Sequence, residues 1–174
     1  MKHITLIIIA VLFSVTAFAQ QTFDNDFTQT KVMKLSGKTI NKAGHIVFDG
    51  KDQLIMTYTE PSGDSFIIDG NKVKINMDGK KADLDANKAK MVKVQRSTLL
   101  NCLSGNWEQA ATDNNAELTI SEEKGLKTIA IVTKGKVPKG GYKSVIVTCR
   151  ASDGHMVKME LEEAIGIINT YEIK

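Results

Sequence analysis

The sequence predicts a mainly β fold, an up-and-down antiparallel sheet of about eleven strands interrupted by one helical insertion. Three observations predict it. Short runs of bulky or β-branched residues recur along the 174 residues, each closed by turn-forming residues. Asp-Gly pairs at Asp69-Gly70 and Asp78-Gly79 supply the positive φ that tight hairpins need. Three-and-four apolar spacing is sustained only after Leu84, so the strand–helix–strand alternation of a parallel sheet is absent.

The densest part of the pattern is Ala43 to Gly70, with strand runs at Gly44 to Phe48, Leu54 to Thr59 and Ser65 to Ile68. In the middle run Leu54, Met56 and Tyr58 share one face and Ile55, Thr57 and Thr59 the other. Neither face is strongly polar. Such a sheet is expected to be covered on both sides or to curl around something apolar.

The remaining elements follow in order. Asn25 to Leu35 reads as a strand with Phe27, Gln29 and Lys31 on one side, and Ser36 to Lys42 as a polar turn. Lys72 to Met77 is half-wet, with Val73, Ile75 and Met77 opposite Lys72, Lys74 and Asn76. Asp85 to Ser104 predicts one helix, or two broken near Gln95 to Ser97, with Asp85 and Ser97 as caps. Strand patterning then returns at Leu118 to Ser121, Lys127 to Thr133, Tyr142 to Arg150, His155 to Glu162 and Ile165 to Lys174.

Lys2 and His3 precede an apolar run from Ile4 to Phe13, and Ala17-Phe18-Ala19 forms a small-x-small cleavage pattern. Residues 1–19 are therefore expected to be a signal peptide, and 20–174 a single mature domain outside the cytoplasm. The apolar run falls short of the roughly 20 residues a membrane-spanning helix requires. With 23 basic and 20 acidic residues, scattered and without aromatic interleaving, nucleic acid is excluded as a partner.

A sheet of this length curls toward a barrel, and the helix is the only element available to cover its open side. Leu99, Leu100 and Leu103 are then expected to face a floor of Ile46, Phe48, Leu54, Met56, Tyr58, Val73, Ile75, Val157, Met159 and Leu161. Patterning alone favours a dry core over a cavity. The methionines Met56, Met77, Met91, Met156 and Met159 pull toward a cavity, because thioethers adapt to varied apolar guests.

No catalytic constellation is found, and no metal site or cofactor is expected. His45 and His155 lie outside known catalytic patterns, Glu160, Glu162 and Glu163 read as a solvated face, and Asp69, Asp78 and Asp153 precede turn glycines. Cys102 and Cys149 allow two readings, a disulfide pinning helix to sheet or two buried free thiols, and the second is favoured.

Several motifs in their order resemble the outer-membrane lipoprotein carrier family, LolA. They are Phe27-Thr28-Gln29, Gly44-x-Ile46-x-Phe48, Leu54-x-Met56 with Pro61 after it, Ile67-Ile68-Asp69-Gly70, Ser97-x-Leu99-Leu100, the Trp107 region and the strands around Asp153-Gly154-His155. The resemblance implies an eleven-stranded incomplete β-barrel, a half-barrel similar to LolA and LolB, with a short helical lid. It also implies a non-enzymatic periplasmic carrier, a soluble monomer that binds the acyl chains of lipoproteins. The implied partners are an inner-membrane lipoprotein-releasing transporter and an outer-membrane acceptor. A lipid-sensing or protein-interaction module on the same half-barrel is the alternative. Where the family has an Arg-Pro pair whose arginine ties down the lid, this chain has Gly50-Lys51, and Lys51 is the cation available as a substitute.

Overall fold

A computed structural model describes residues 21–174; the expected signal peptide lies outside these described residues. The described residues form eleven antiparallel strands in one sheet, with two helices between the sixth and seventh. The first six are β1 (Phe23–Met33), β2 (Lys38–Phe48), β3 (Gln53–Glu60), β4 (Ser62–Asp69), β5 (Lys72–Met77) and β6 (Lys80–Asp85). Helices α1 (Lys90–Leu103) and α2 (Trp107–Asp113) follow. The remaining strands are β7 (Ala116–Glu123), β8 (Leu126–Thr133), β9 (Tyr142–Arg150), β10 (Met156–Glu163) and β11 (Ile167–Ile173).

The strand order is β6-β5-β4-β3-β2-β1-β11-β10-β9-β8-β7. Strands β1 and β11 therefore pair in the middle, from Phe27 opposite Ile173 to Met33 opposite Ile167. The two sheet edges, β6 and β7, are joined by the helices. A connection that leaves one edge and re-enters at the other crosses the concave face, and its apolar side is buried there. This is the expected half-barrel with a helical cover.

Alternation explains which face is inside. Leu54, Met56 and Tyr58 of β3 are buried, whereas Thr57 and Thr59 are exposed and Ile55 is half-buried. Among the described residues the helices cover the concave side, and the other face of the sheet is left more exposed. Val47, Ile120, Leu126 and Val132 are exposed hydrophobic residues on strands. The core combines Phe23, Phe27, Ile46, Phe48, Leu54, Ile68, Ile129, Val147 and Met156 of the sheet with Leu99, Leu100, Cys102, Leu103, Trp107 and Ala110 of the helices.

Other expectations need correction. The turn expected at Ser36 to Lys42 is shorter, because pairing of β1 with β2 continues to Met33 opposite Lys38, and Gly37, with φ of 66°, donates its N–H to Met33 at 2.9 Å. The strand β6, KKADLD, has no run of apolar residues to announce it. It is an edge strand, and its charges suit an exposed edge. Helix α1 is unbroken. Asp85 ends β6 and accepts the Asn87 N–H at 2.9 Å, Ala89 occupies the N-cap without a side-chain bond, and Ser97 lies mid-helix, donating to Asp113. A separate helix begins at Trp107, and its buried residues Trp107, Ala110 and Ala111 have the spacing of one helical face.

Candidate functional site

Between the concave face and α1 lies a hollow of about 260 Å³. That is room for about nine groups the size of a water molecule, and it approaches the size of small-molecule pockets. Its apolar lining comes from Ile46 of β2, Leu54 and Met56 of β3, Phe66 of β4, Ile75 and Met77 of β5, Met156, Met159 and Leu161 of β10, Ile173 of β11, and Leu99 and Leu103 of α1. Tyr58, Tyr142 and Tyr171 contribute rings, and Gln29, Lys31, Gln95, Glu163 and Asn169 contribute polar groups.

Of the residues expected at such a site, the structure brings together Ile46, Leu54, Met56, Tyr58, Ile75, Leu99, Leu103, Met159 and Leu161. Four others stand elsewhere. Phe48 and Val73 are buried in the core, Phe48 with its ring centroid 6.0 Å from that of Phe23 and Val73 opposite Ile68 and Leu84. Leu100 is buried in the core, outside the lining. Val157 is the extra residue of a bulge in β10, between Met156 opposite Cys149 and Lys158 opposite Thr148. The bulge resets the alternation, so Met156 lines the hollow and Val157 does not.

Several lining residues escape a strand-by-strand reading. Phe66, Met77 and Ile173 continue alternations already visible on β4, β5 and β11; the Asp-Gly turns that bound β4 and β5 could have found the first two, and the alternation of Asn169, Tyr171 and Ile173 the third. Gln29, Asn169 and Glu163 could not be grouped from sequence. They meet only because β1 and β11 pair centrally and because β10 has a second register shift, at Glu162 and Glu163.

The polar wall is hydrogen-bonded in sequence. Asn169 Nδ2 donates to Glu163 Oε1 at 3.2 Å, and Gln29 Nε2 donates to Asn169 Oδ1 at 3.0 Å and to the Tyr171 hydroxyl at 3.2 Å. Gln29 Oε1 is buried without a hydrogen-bond partner among the described residues, and the Tyr58 hydroxyl is buried against that of Tyr171. Burial pushes the Tyr171 phenol up to about 12, and it raises Tyr58 and Tyr142 further, so all three keep their O–H.

Beside this wall, Lys42 pairs with Asp64 at 2.7 Å and lies 5.4 Å from the Tyr58 ring centroid. Burial works against the Lys42 charge, but Asp64 and Asp78 outweigh it and hold its pKa above the usual lysine value. Lys42 in turn holds Asp64 below the usual carboxylate range.

Cys102 and Cys149 are free, buried thiols, pushed by burial up to about 12 and about 11. Among the described residues no cluster of histidine, cysteine or acidic side chains could hold a metal, and no helix is long and apolar enough to cross a membrane.

A family model described as "Outer membrane lipoprotein carrier protein LolA" matches residues 19–174. No curated protein matches the chain. Among solved structures, a LolA superfamily protein from Nitrosomonas europaea is similar at 11% identity and TM-score 0.42, over 90% of this chain and 86% of that one. The MucA/MucB complex of Pseudomonas aeruginosa is similar at 10% identity and TM-score 0.43, over 88% of this chain and 50% of that one. The lipoprotein LppX of Mycobacterium tuberculosis is similar at 10% identity and TM-score 0.33, over 87% of this chain and 85% of that one.

Proposed function

The chain belongs to the LolA family of outer membrane lipoprotein carrier proteins, and from that premise we propose that it carries acylated lipoproteins across the periplasm toward the outer membrane. The observation that supports this reading is the hollow itself. It is lined mainly by aliphatic and thioether side chains, open on one side and roofed by a single helix.

Hydrocarbon is the matching guest. Transfer of acyl chain from water is worth about 0.8 kcal/mol per CH₂, so a few buried methylenes suffice for capture. The methionines Met56, Met77, Met156 and Met159 can repack around chains of differing shape. Binding and release without turnover requires no nucleophile or general base, and the protein is accordingly a carrier and not an enzyme. Residues 1–19 direct export, and 20–174 act as one domain that receives cargo from an inner-membrane transporter and yields it to an outer-membrane acceptor.

The test is mass spectrometry of native mature protein, with uptake of an acylated lipopeptide measured beside it. Retained or captured acyl ligand at one per protein is expected. Protein that neither retains nor takes up acyl ligand, while a partner protein is bound normally, would replace the carrier reading with the interaction-module reading.

A further inference from the structure

The turn between β1 and β2 and the turn between β10 and β11 stand side by side, because β1 and β11 pair as far as Met33 opposite Ile167. A backbone bond ties them together, the Lys34 N–H donating to the Gly166 carbonyl at 2.9 Å. Each turn is also closed on itself, by the Gly37 N–H on the Met33 carbonyl and the Gly166 N–H on the Glu163 carbonyl. Turn tips ordinarily carry polar residues. These carry Leu35 and Ile165, which at 93% and 63% are the most exposed large hydrophobic residues among those described. With Met33 and Ile167 they line a shallow groove of about 160 Å³. One exposed leucine is commonplace, but two apolar tips tied side by side make a patch. Strand alternation puts Met33 and Ile167 on the same face as Lys31 and Asn169, so the patch continues the wall of the hollow beyond its polar groups.

The charge around the tips is positive. Lys31, Lys34, Lys38 and Lys143 stand there against Glu162 and Glu163, and Glu162 is held by Lys34 at 2.7 Å and by Lys143 at 3.0 Å. The opposite end of β1 is acidic, with Asp24 and Asp26 beside His45 and with Asp49 and Asp52 in the adjoining turn. We propose that the Leu35 and Ile165 tips dock on an anionic phospholipid bilayer, the two side chains entering the boundary between headgroups and acyl chains while the lysines meet the phosphates. The acidic end is repelled by the same surface, so the molecule is held tips down and the shared wall of β1 and β11 runs toward the lipid. A protein partner fits less well, because a stable pair buries about 800 Å² on each side and two side chains on turn tips offer far less. Two apolar side chains and a few lysines give weak, reversible attachment, as a protein that must leave the membrane again requires. The docking stands independently of the carrier reading and adds the surface on which cargo would be passed.

The experiment floats the mature protein with vesicles of phosphatidylcholine alone and with vesicles containing about 30% phosphatidylglycerol. Affinity for the anionic vesicles is expected to be at least tenfold higher, and to be largely lost when salt is raised from about 0.1 M to about 1 M. Leu35→Ser is expected to weaken it about tenfold and Lys38→Ala about fivefold. Both positions are exposed and lie outside the hollow, so urea midpoints and uptake of an acyl probe in solution are expected unchanged, and a failure of docking is read separately from a failure of the carrier reading. Leu35→Trp reports the depth of the tip: a blue shift with anionic vesicles and quenching by lipids brominated on their acyl chains are expected, against the constant background of buried Trp107. Equal affinity with and without phosphatidylglycerol, or affinity unaltered in both Leu35→Ser and Lys38→Ala, overturns the proposal. Absence of binding to either kind of vesicle also overturns it and leaves the tips to a protein partner.

Discussion

Arg96 on α1 donates its Nε–H to the backbone carbonyl of Gly70, which turns β4 into β5 with φ of 53°. Gly70 in turn donates its N–H to the carbonyl of Asp52, beside Gly50-Lys51. The family's arginine reaches from sheet to lid; here an arginine reaches from lid to sheet and holds the neighbouring turn. Replacement by Arg96→Met keeps the apolar stem and removes the bond. It is expected to cost about 1.5–3 kcal/mol in urea unfolding, the range of a bond from a charged donor, and to speed release of a bound acyl probe. Unchanged release kinetics would show that this contact does not restrain the helix.

The hollow can be filled from its own wall. Met56 is 7% exposed and sits among the lining residues, so Met56→Trp places an indole where ligand would lie. Acyl uptake is expected to fall at least tenfold with the circular dichroism of the sheet retained. Leu100→Ala provides the contrast, since Leu100 is buried outside the lining. It is expected to lose about 2–5 kcal/mol of stability as a core cavity mutant, with uptake at folding conditions little changed. A reversed pattern in the two variants would mean the guest lies elsewhere.

Gly44 is required for a steric reason. A Cβ there would stand 2.3 Å from the Thr57 carbonyl oxygen and 3.0 Å from the Phe27 ring. Phe27 and Tyr58 meet edge to face over this position, centroids 5.3 Å apart. Gly44→Ala is expected to destabilise by about 1–3 kcal/mol through overpacking, read as a lower urea midpoint. A midpoint equal to that of the unaltered protein would contradict the close approach.

Stability should fall in acid and, more gently, in mild alkali. Lys42 holds Asp64 low, the His155 backbone N–H and Arg150 hold Asp153 low, the Asn87 N–H and Lys72 hold Asp85 low, and Lys34 and Lys143 hold Glu162 low. Their contribution is complete above the ordinary values of 3.8 and 4.5 and is lost as pH falls through the lower folded values. His45 has the opposite sign. Hydrogen bonds that the ring donates to Asp26 and Asp24 raise its pKa above 6.5, so its contribution is present below 6.5 and is lost as pH rises through the folded value. Urea midpoints across the pH range check both limbs, and His45→Asn should flatten the alkaline limb alone.

Much of the architecture was legible because turn chemistry is local. Asp78-Gly79 takes φ of 52° and 74° and joins Met77 directly to Lys80, and Lys124-Gly125 does the same with 52° and 77°. Residues such as Leu54, Met56 and Tyr58 could be placed because their strand runs without interruption. Val157 could not, because a bulge is set by the partner strand and leaves no mark of its own in β10. Edge strand β6 was hidden by its charge, since backbone pairing and not side-chain burial holds it. The relay from Gln29 to Asn169 joins residues 140 positions apart, and no local pattern encodes which strands become neighbours.

The pairing of β1 with β11 has a temporal consequence. Each half of the sheet is a local meander that can zip as its own hairpins form, but the middle seam joins the earliest strand to the latest. Loop closure over nearly the whole molecule must precede it, which makes the seam the slow event in maturation. Pulsed hydrogen exchange should therefore find the amides of β3 to β5 guarded before those of β1 and β11 that bond across the seam, and the hollow, whose wall straddles the seam, is the last thing the chain acquires.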